Sequence, residues 1–100
     1  MNRPTASIAI QVLPQSAEGD EVLRIVDKVI AYIKSTGLKT VVCPFETVIE
    51  GDFDKLMDIA KECQLICIRE GAPGLLTYMK IAYNPNGGVW SIDEKTAKHI

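Results

Sequence analysis

One short stretch of the chain concentrates the side chains that could do chemistry. The segment from Pro44 to Asp52 carries two carboxylates, on Glu46 and Glu50, and the hydroxyl of Thr47. Its alternation of polar and β-branched residues is typical of a β-strand, and the Gly-Asp pair at its end favours a following helix. Glutamate suits a strand poorly, which favours a functional reading of these residues. The alternative is an edge strand whose charges deter unwanted pairing, and the segment alone leaves both open.

Acid-base catalysis is the first chemistry to consider for two carboxylates. Glu46 and Glu50 share one face of the predicted strand but lie about 13–14 Å apart if it is extended, too far for two-carboxylate work within one subunit. The only histidine, His99, is penultimate in the chain, and no Ser-His or Cys-His spacing suggests a nucleophile. No glycine-rich loop followed by Lys-Ser or Lys-Thr predicts a phosphate site. We therefore expect no enzyme and no catalytic residues.

The three cysteines offer a second possible chemistry. Cys43, Cys63 and Cys67 are an odd number without C-x-x-C spacing. The last two stand one helical turn apart on a mostly apolar face, where buried free thiols are typical. No second ligand cluster completes a metal or redox site, so we expect neither a metal nor a cofactor.

Length and charge limit the classes of partner. One hundred residues predict a single domain spanning residues 1–100. A formal charge of −2, from 11 basic and 13 acidic residues, lacks the basic excess of a nucleic-acid-binding surface. No apolar run approaches a membrane span, and the first residues lead directly into a strand rather than a signal peptide. The sequence predicts a cytoplasmic protein that binds neither nucleic acid nor membrane.

The hydrophobic pattern predicts four strands and three helices. Ile8, Ile10 and Val12 alternate with small or polar residues, the period of a half-buried strand. The predicted elements are, in order, strand Ala6–Leu13, helix Asp20–Thr36, strands Lys39–Cys43 and Glu46–Glu50, a helix from Asp52 to the Gly71–Gly74 break, strand Leu75–Tyr83 and a helix from Ile92 to about His99.

Capping residues mark the helix ends. We expect Asp20 and Asp52 to cap the first two helices, and Gly37 to end the first. Ser91 and Glu94 have the S-x-x-E spacing of a capping box, which predicts the short C-terminal helix.

This order of elements predicts the fold. Two βαβ halves, over residues 7–43 and 47–83, give an α+β ferredoxin-like βαββαβ sandwich. Its four-stranded antiparallel sheet would carry two helices on one face, with the short C-terminal helix in addition. The other face would show Ser7, Ala9 and Gln11 beside the apolar half of the last strand, too apolar to leave wholly to water. We therefore expect a homo-oligomer, a dimer or a tetramer, whose interface clefts are candidate ligand sites.

Three parts of the sequence resemble one known family. They are the first strand ending in Leu13-Pro14, the stretch from Pro44 to Gly51, and the late strand with Thr77 and Lys80. Together they resemble the small thiamine-binding, YkoF-like family over nearly the whole chain, most specifically at Thr47-Val48-Ile49-Glu50-Gly51. The resemblance implies a ferredoxin-like fold, an oligomer, and binding of thiamine or its hydroxymethylpyrimidine half without chemical conversion.

The implied ligand, or a related small heteroaromatic, offers flat faces, a donor-acceptor edge and, in thiamine, a positive charge. A carboxylate of Glu46 or Glu50 would accept from the amine or face the cation, while Thr47 and Ser7 would pair with the ring edge. Aromatic residues would stack on the ring or on the cation. The predicted ligand-binding residues are Glu46, Thr47, Glu50, Ser7, Gln11, Phe45, Thr77, Tyr83 and Trp90.

Several of these residues also have purely structural readings. Phe45 could belong to the core, Trp90 could anchor the C-terminal helix, and Glu50 could serve a helix N-terminus electrostatically. An alternative function is a regulatory or protein-interaction module that uses the open sheet face, with or without a small effector.

Overall fold

The computed structural model describes residues 3–16 and 18–99. The elements are β1 (Ala6–Pro14), α1 (Gly19–Ser35), β2 (Thr40–Val42), β3 (Thr47–Gly51), α2 (Phe53–Arg69), β4 (Leu75–Tyr83), α3 (Ile92–Thr96) and a final 3-10 turn (Ala97–His99).

The four strands form one antiparallel sheet in the order β2-β3-β1-β4. The first strand is central: it pairs with β3 from Ala6 opposite Gly51 to Ile10 opposite Thr47. On its other side it pairs with β4 along its whole length. This architecture confirms the predicted ferredoxin-like sandwich with a short C-terminal helix.

The core lies between the sheet and the two long helices. Ile8 and Ile10 of β1, together with Ile49 of β3, are almost fully buried against α1 and α2. Ile25 and Leu56 contribute from the helices. Burial of each such side chain stabilises the fold by about 1.5–3 kcal/mol, so the β1 alternation decides which face of the sheet the helices cover.

The opposite side of the sheet, which neither long helix covers, is called here the helix-free face. Because directly opposed residues of an antiparallel ladder share a face, Ser7 shares it with Glu50, and Gln11 with Tyr78. Large apolar side chains on this face remain exposed, among them Leu76 and Tyr78 at 55% and 61%. The predicted mixture of small, polar and apolar residues is therefore present.

The capping residues of α2 agree with the prediction, whereas the N-cap of α1 differs from it. Asp52 caps α2 by accepting a hydrogen bond from the Lys55 amide at 3.3 Å, as predicted. The prediction for α1 was wrong: the N-cap is Glu18, which makes no side-chain cap, and Asp20 lies in the first turn. There its negative charge still favours the helix dipole. Gly37, with φ of 77°, follows the end of α1 in the left-handed region.

The C-terminal helix is capped as the sequence predicts. Ser91 Oγ accepts from the Glu94 amide at 3.0 Å, and the Glu94 carboxylate accepts from the Ser91 amide at 3.0 Å. This reciprocal capping box satisfies two amides that would otherwise lack partners. It therefore stabilises the start of a helix that is only five residues long.

The segment between β4 and α3 turns back to the beginning of β1. Val89 donates its amide to the Pro4 carbonyl at 2.8 Å, and Asn84 donates to Thr5 at 2.9 Å. Gly88 has φ of 74°, and a Cβ there would lie 2.7 Å from the Arg3 Cβ. Glycine is thus required at this crossing, and the crossing brings α3 next to the Glu50 end of β3.

An arginine joins the two long helices at one end. Arg24 of α1 donates to a Glu70 carboxylate oxygen at 2.6 Å and to the Glu70 carbonyl at 2.8 Å, beyond the end of α2. It also pairs with Glu21 one turn earlier. None of the helices in the described residues has the length and apolarity needed to cross a bilayer.

Candidate functional site

A small pocket lies between α1 and the connection from β2 to β3. This turn pocket, about 130 Å³ in volume, has walls from β1 and α1 that are almost wholly apolar, including Ile10, Val26 and Ile30. The connection that closes it is a tight turn in which the Cys43 amide donates to the Glu46 carbonyl at 2.9 Å. Apolar walls with few polar groups are typical of sites for small organic ligands.

Thr47 places a hydroxyl in this apolar surrounding. It is the first residue of β3, stands opposite Ile10 and is only 6% exposed. Since neighbouring residues of a strand alternate in direction, Thr47 faces the helix layer with Ile49, whereas Glu46 and Glu50 do not. The hydroxyl can both donate and accept, so it can pair with either kind of group on a ring edge.

The mouth of the turn pocket is formed by the turn itself. Phe45 borders the pocket and is 80% exposed, so it is not a core residue. Cys43, a half-buried free thiol, also lines the pocket. Next to them, Val42 of the edge strand β2 is exposed at 44%. The pocket mouth therefore continues into an apolar surface.

Two further predicted residues border the same end of the sheet. Gln11 lines the turn pocket from β1 and is half-buried. Glu46 also lines the pocket, and its carboxylate reaches Lys80 Nζ of β4 at 3.3 Å. Because Lys80 is 77% exposed, this ion pair contributes at most about 1 kcal/mol to stability. Glu46 can therefore exchange its partner at low cost.

Ser7 and Glu50 lie at the other end of the sheet, opposite each other on β1 and β3. Both are buried, Ser7 at 6% and Glu50 at 9% exposure, and the C-terminal segment contacts Glu50. One Glu50 oxygen, Oε1, accepts from the Ile92 amide at 3.3 Å. Glu50 also lines a wide cleft between residues 3–5, residues 50–52 and the C-terminal segment, called here the Glu50 cleft.

The remaining predicted residues lie apart from both places. The Thr77 hydroxyl donates to Gln64 Oε1 of α2 at 3.2 Å. The Tyr83 ring stacks on Phe53 with centroids 4.1 Å apart and an interplanar angle of 18°. Trp90, in the segment before α3, is 63% exposed. The structure therefore brings four predicted residues together at the turn pocket, Gln11, Phe45, Glu46 and Thr47. It pairs Ser7 with Glu50 at the other end of the sheet and places the remaining three apart from both.

Some residues at these places were not predicted from the sequence. Val26 and Ile30 fit the apolar stripe of α1, and only their partial burial shows that they also line a pocket. Asp93 and Glu94 line the Glu50 cleft from a distant part of the chain. No local pattern signals that contact, because it depends on the return of the C-terminal segment.

The cysteine and glutamate side chains with the most strongly shifted pKa fit structural roles. Burial raises the pKa of the Cys63 thiol to about 12, and it also raises the pKa of Cys67. Both thiols are therefore protonated and unreactive near neutral pH. A side-chain hydrogen bond from Arg3 lowers the pKa of Glu94 to about 2. Among residues 3–16 and 18–99, no three His, Cys, Asp or Glu side chains cluster as a metal site.

Comparison with known proteins assigns the family. The family described as Thiamine-binding protein matches this chain over residues 8–100, which includes every residue of the turn pocket and Glu50. The chain belongs to this family.

Relatives within and around the thiamine-binding protein family share nearly the full length of the chain. A UPF0045 protein of Clostridium perfringens is 46% identical over 95 residues, which are 95% of this chain and 97% of the relative. A domain of unknown function from Bacillus cereus has a solved structure with a TM-score of 0.86 and 37% identity. That match covers 95% of this chain and 89% of the other.

One structural relative carries a description that refers to thiamine. It is a Thermotoga maritima protein described as a candidate for thiamine biosynthesis or salvage, with a TM-score of 0.82 and 29% identity. The match covers 95% of this chain and 98% of that one. The ferredoxin-like sandwich is thus the common scaffold of these proteins.

Proposed function

We propose that this protein binds thiamine or its hydroxymethylpyrimidine half, or a closely related small heteroaromatic, without converting it. Membership of the thiamine-binding protein family supports the ligand class. The observation that carries the proposal is Thr47, a hydroxyl-bearing residue that is 94% buried and lines the largely apolar turn pocket.

The pyrimidine ring fits this pocket in size and chemistry. A volume of about 130 Å³ is below the roughly 300 Å³ at which drug-sized pockets begin, so the pocket suits one ring rather than a large ligand. Its apolar walls match the faces of the ring, and Thr47 pairs with a ring nitrogen or with the exocyclic amine. The Glu46 carboxylate borders the pocket but faces away from the helix layer, toward an exposed lysine, so we assign it to the thiazolium charge outside the pocket.

A second subunit would complete the site. Phe45 and Val42 present an apolar surface at the pocket mouth that water covers poorly. We propose that another copy of the chain packs against this surface, which places the ligand at or near the subunit interface and gives Phe45 a ring or a partner to stack on.

Binding without catalysis is part of the proposal. Of the thiols, the two on α2 are held protonated, and the single histidine lies in the final 3-10 turn, away from the turn pocket. The residues at the pocket can hold and orient a ring, and they contain no nucleophile paired with a base.

The first experiment is calorimetric titration of the protein with thiamine, with hydroxymethylpyrimidine and with the separate thiazole half, while the oligomer mass is measured in the same buffer. We expect saturable heat from the first two ligands and little from the third, because Thr47 pairs with the pyrimidine. If a stable oligomer gives no heat with any of them, the proposed ligand is wrong.

A second candidate function uses the helix-free face. Leu76 and Tyr78 are exposed there beside Gln11 and Leu13, a surface suited to a protein partner. This alternative, a regulatory or interaction module, predicts an oligomer or complex that forms through the face and is indifferent to pyrimidines.

A further inference from the structure

The carboxylate of Glu50 is buried without sufficient partners. Its side chain is more than nine-tenths buried, and within the described residues Oε2 has no hydrogen-bond partner. Oε1 has one donor, the Ile92 amide, at 3.3 Å, which is long for a bond to a carboxylate. Buried charges are normally paired, because an unpaired one loses its hydration without compensation. Glu50 Oε2 therefore has room in its hydrogen bonding for a further donor.

The surroundings of Glu50 favour a positive group as that donor. The Glu50 cleft is lined by four carboxylates, those of Glu50, Asp52, Asp93 and Glu94, and by one basic side chain, Arg3. Arg3 is already bound to Glu94 at 2.8 Å, and Lys39 pairs with Asp93 at 3.2 Å. Arg3 and Lys39 are thus paired with carboxylates other than Glu50. The negative electrostatic potential of the cleft therefore attracts a cation from solution.

The donor set favours an organic cation over a metal ion. No three acidic, histidine or cysteine side chains converge around Glu50 in the part of the chain that the structure describes. Calcium or magnesium would need about six oxygen ligands. A planar guanidinium or amidinium group needs only a carboxylate edge, on which its two N–H groups fit.

We propose that Glu50 is the acceptor of a second binding position, for a small organic cation with a guanidinium or amidinium group, and that residues 91–96 close over it. This position goes beyond the proposed function, because it is on the opposite face of the sheet from Thr47. The occupant binds Oε2 and displaces the Ile92 amide from Oε1.

Residues 91–96, named here the strap, are suited to opening. The strap is anchored by the buried side chain of Ile92 and by the exposed pairs Arg3–Glu94 and Lys39–Asp93. Exposed ion pairs are individually weak. Its capping box binds Ser91 to Glu94 within the strap, so the short helix can move without losing its own cap.

The test uses acetamidinium and its neutral isostere acetamide as probes of the full chain. Both are titrated while the backbone amide resonances of Ile92 and Glu50 are followed by nuclear magnetic resonance. We expect saturable shifts of both amides with acetamidinium and none with acetamide. Equal responses to the two probes, or no saturable response to acetamidinium, would overturn the proposal.

Variants separate the carboxylate from general charge. Glu50→Gln keeps size and should weaken acetamidinium binding roughly ten- to a hundredfold, as expected for loss of a charge-assisted hydrogen bond. Asp27→Asn, which removes an exposed carboxylate of α1 outside the Glu50 cleft, is the control and should change affinity less than twofold. Undiminished binding by Glu50→Gln with a native spectrum contradicts the assignment.

The strap is tested by Ile92→Ala, which keeps the amide and removes the buried anchor. We expect this variant to bind acetamidinium severalfold more tightly, because less is lost when the strap opens. Unchanged or weaker binding would show that the strap does not compete with the cation.

Discussion

Thr47 and Glu50 stand three residues apart on β3 and point to opposite faces of the sheet, Thr47 toward the helices and Glu50 away from them. They are about 10 Å apart along the strand. One motif therefore supplies polar groups to two separate places, the turn pocket and the Glu50 cleft, and we expect a substitution at one to leave the other intact.

Thr47→Val tests the turn pocket. The two side chains have the same shape, so the fold should persist, while an unpaired ring edge weakens pyrimidine binding by about 1–3 kcal/mol. Calorimetry with hydroxymethylpyrimidine measures the loss. Thr77→Val is the control, because it removes a hydroxyl that bonds to Gln64 outside the pocket. Unchanged affinity in Thr47→Val would exclude this hydroxyl from the site.

Phe45→Ala tests the interface at the pocket mouth. Because Phe45 is 80% exposed, we expect the free energy of unfolding of the single chain to change by no more than about 0.5 kcal/mol. Ligand binding and self-association should weaken by about 1–2 kcal/mol, as for an aromatic interface anchor. Sedimentation and calorimetry measure both. Leu23→Ala on the outer side of α1, 64% exposed, should change neither, and an identical result for both variants would count against the interface.

Thiol labelling distinguishes the three cysteines. A disulfide reagent should modify Cys43 in the native protein, because this thiol is half-exposed at the turn pocket. Cys63 and Cys67 should react only after unfolding, since burial raises the pKa of both. Bound hydroxymethylpyrimidine should slow the first reaction, and Cys43→Ser should abolish it. Rapid reaction of all three thiols would contradict the buried packing of α2.

Acid should loosen the strap through Glu94. The Arg3 hydrogen bond lowers the pKa of Glu94 in the folded state to about 2, from an ordinary value of 4.5. The unfolded chain therefore takes up a proton first as pH falls. The stabilisation from this carboxylate is complete above pH 4.5 and is lost between about 4.5 and 2.

Hydrogen exchange of the strap amides as a function of pH measures this loosening. In Arg3→Gln, the exchange rates of the strap amides should not show the increase between about pH 4.5 and 2 that protonation of Glu94 causes in the native protein. If the native protein and this variant show the same profile, the Arg3–Glu94 pair does not hold the strap.

The sequence predicts most of the fold because its local signals agree with one another. The alternating apolar side chains of β1 and the apolar side chains along one face of α1 are both buried in the same core. Asp52 and Ser91 mark the starts of their helices because their side chains accept hydrogen bonds from the first turn. The N-cap of α1 was misplaced because Glu18 caps without a side-chain bond and gives no pattern to recognise.

The candidate site is less accessible to sequence reasoning because its residues meet through long-range contacts. Glu46 and Thr47 reach the turn pocket as neighbours on the chain, whereas Tyr83 is committed to a stack with Phe53 that no spacing predicts. Burial of Glu50 depends on the return of the C-terminal segment to β1, which involves Pro4 and Val89. The hydrophobic pattern of a strand predicts which face of the sheet a residue lies on. It does not predict which distant segment of the chain covers that residue.

The central position of β1 sets the order of events during synthesis. This strand is made first, yet it hydrogen-bonds on both sides, and its longer ladder is with β4, the last strand to be made. Its apolar side chains therefore remain incompletely buried until the intervening helices and strands have been synthesised. Bringing the first and last strands together costs conformational entropy before their hydrogen bonds and packing contacts form. We therefore expect this step to limit the folding rate. A nascent chain that stops before Leu75 would expose the β1 edge, which makes such fragments candidates for chaperone binding.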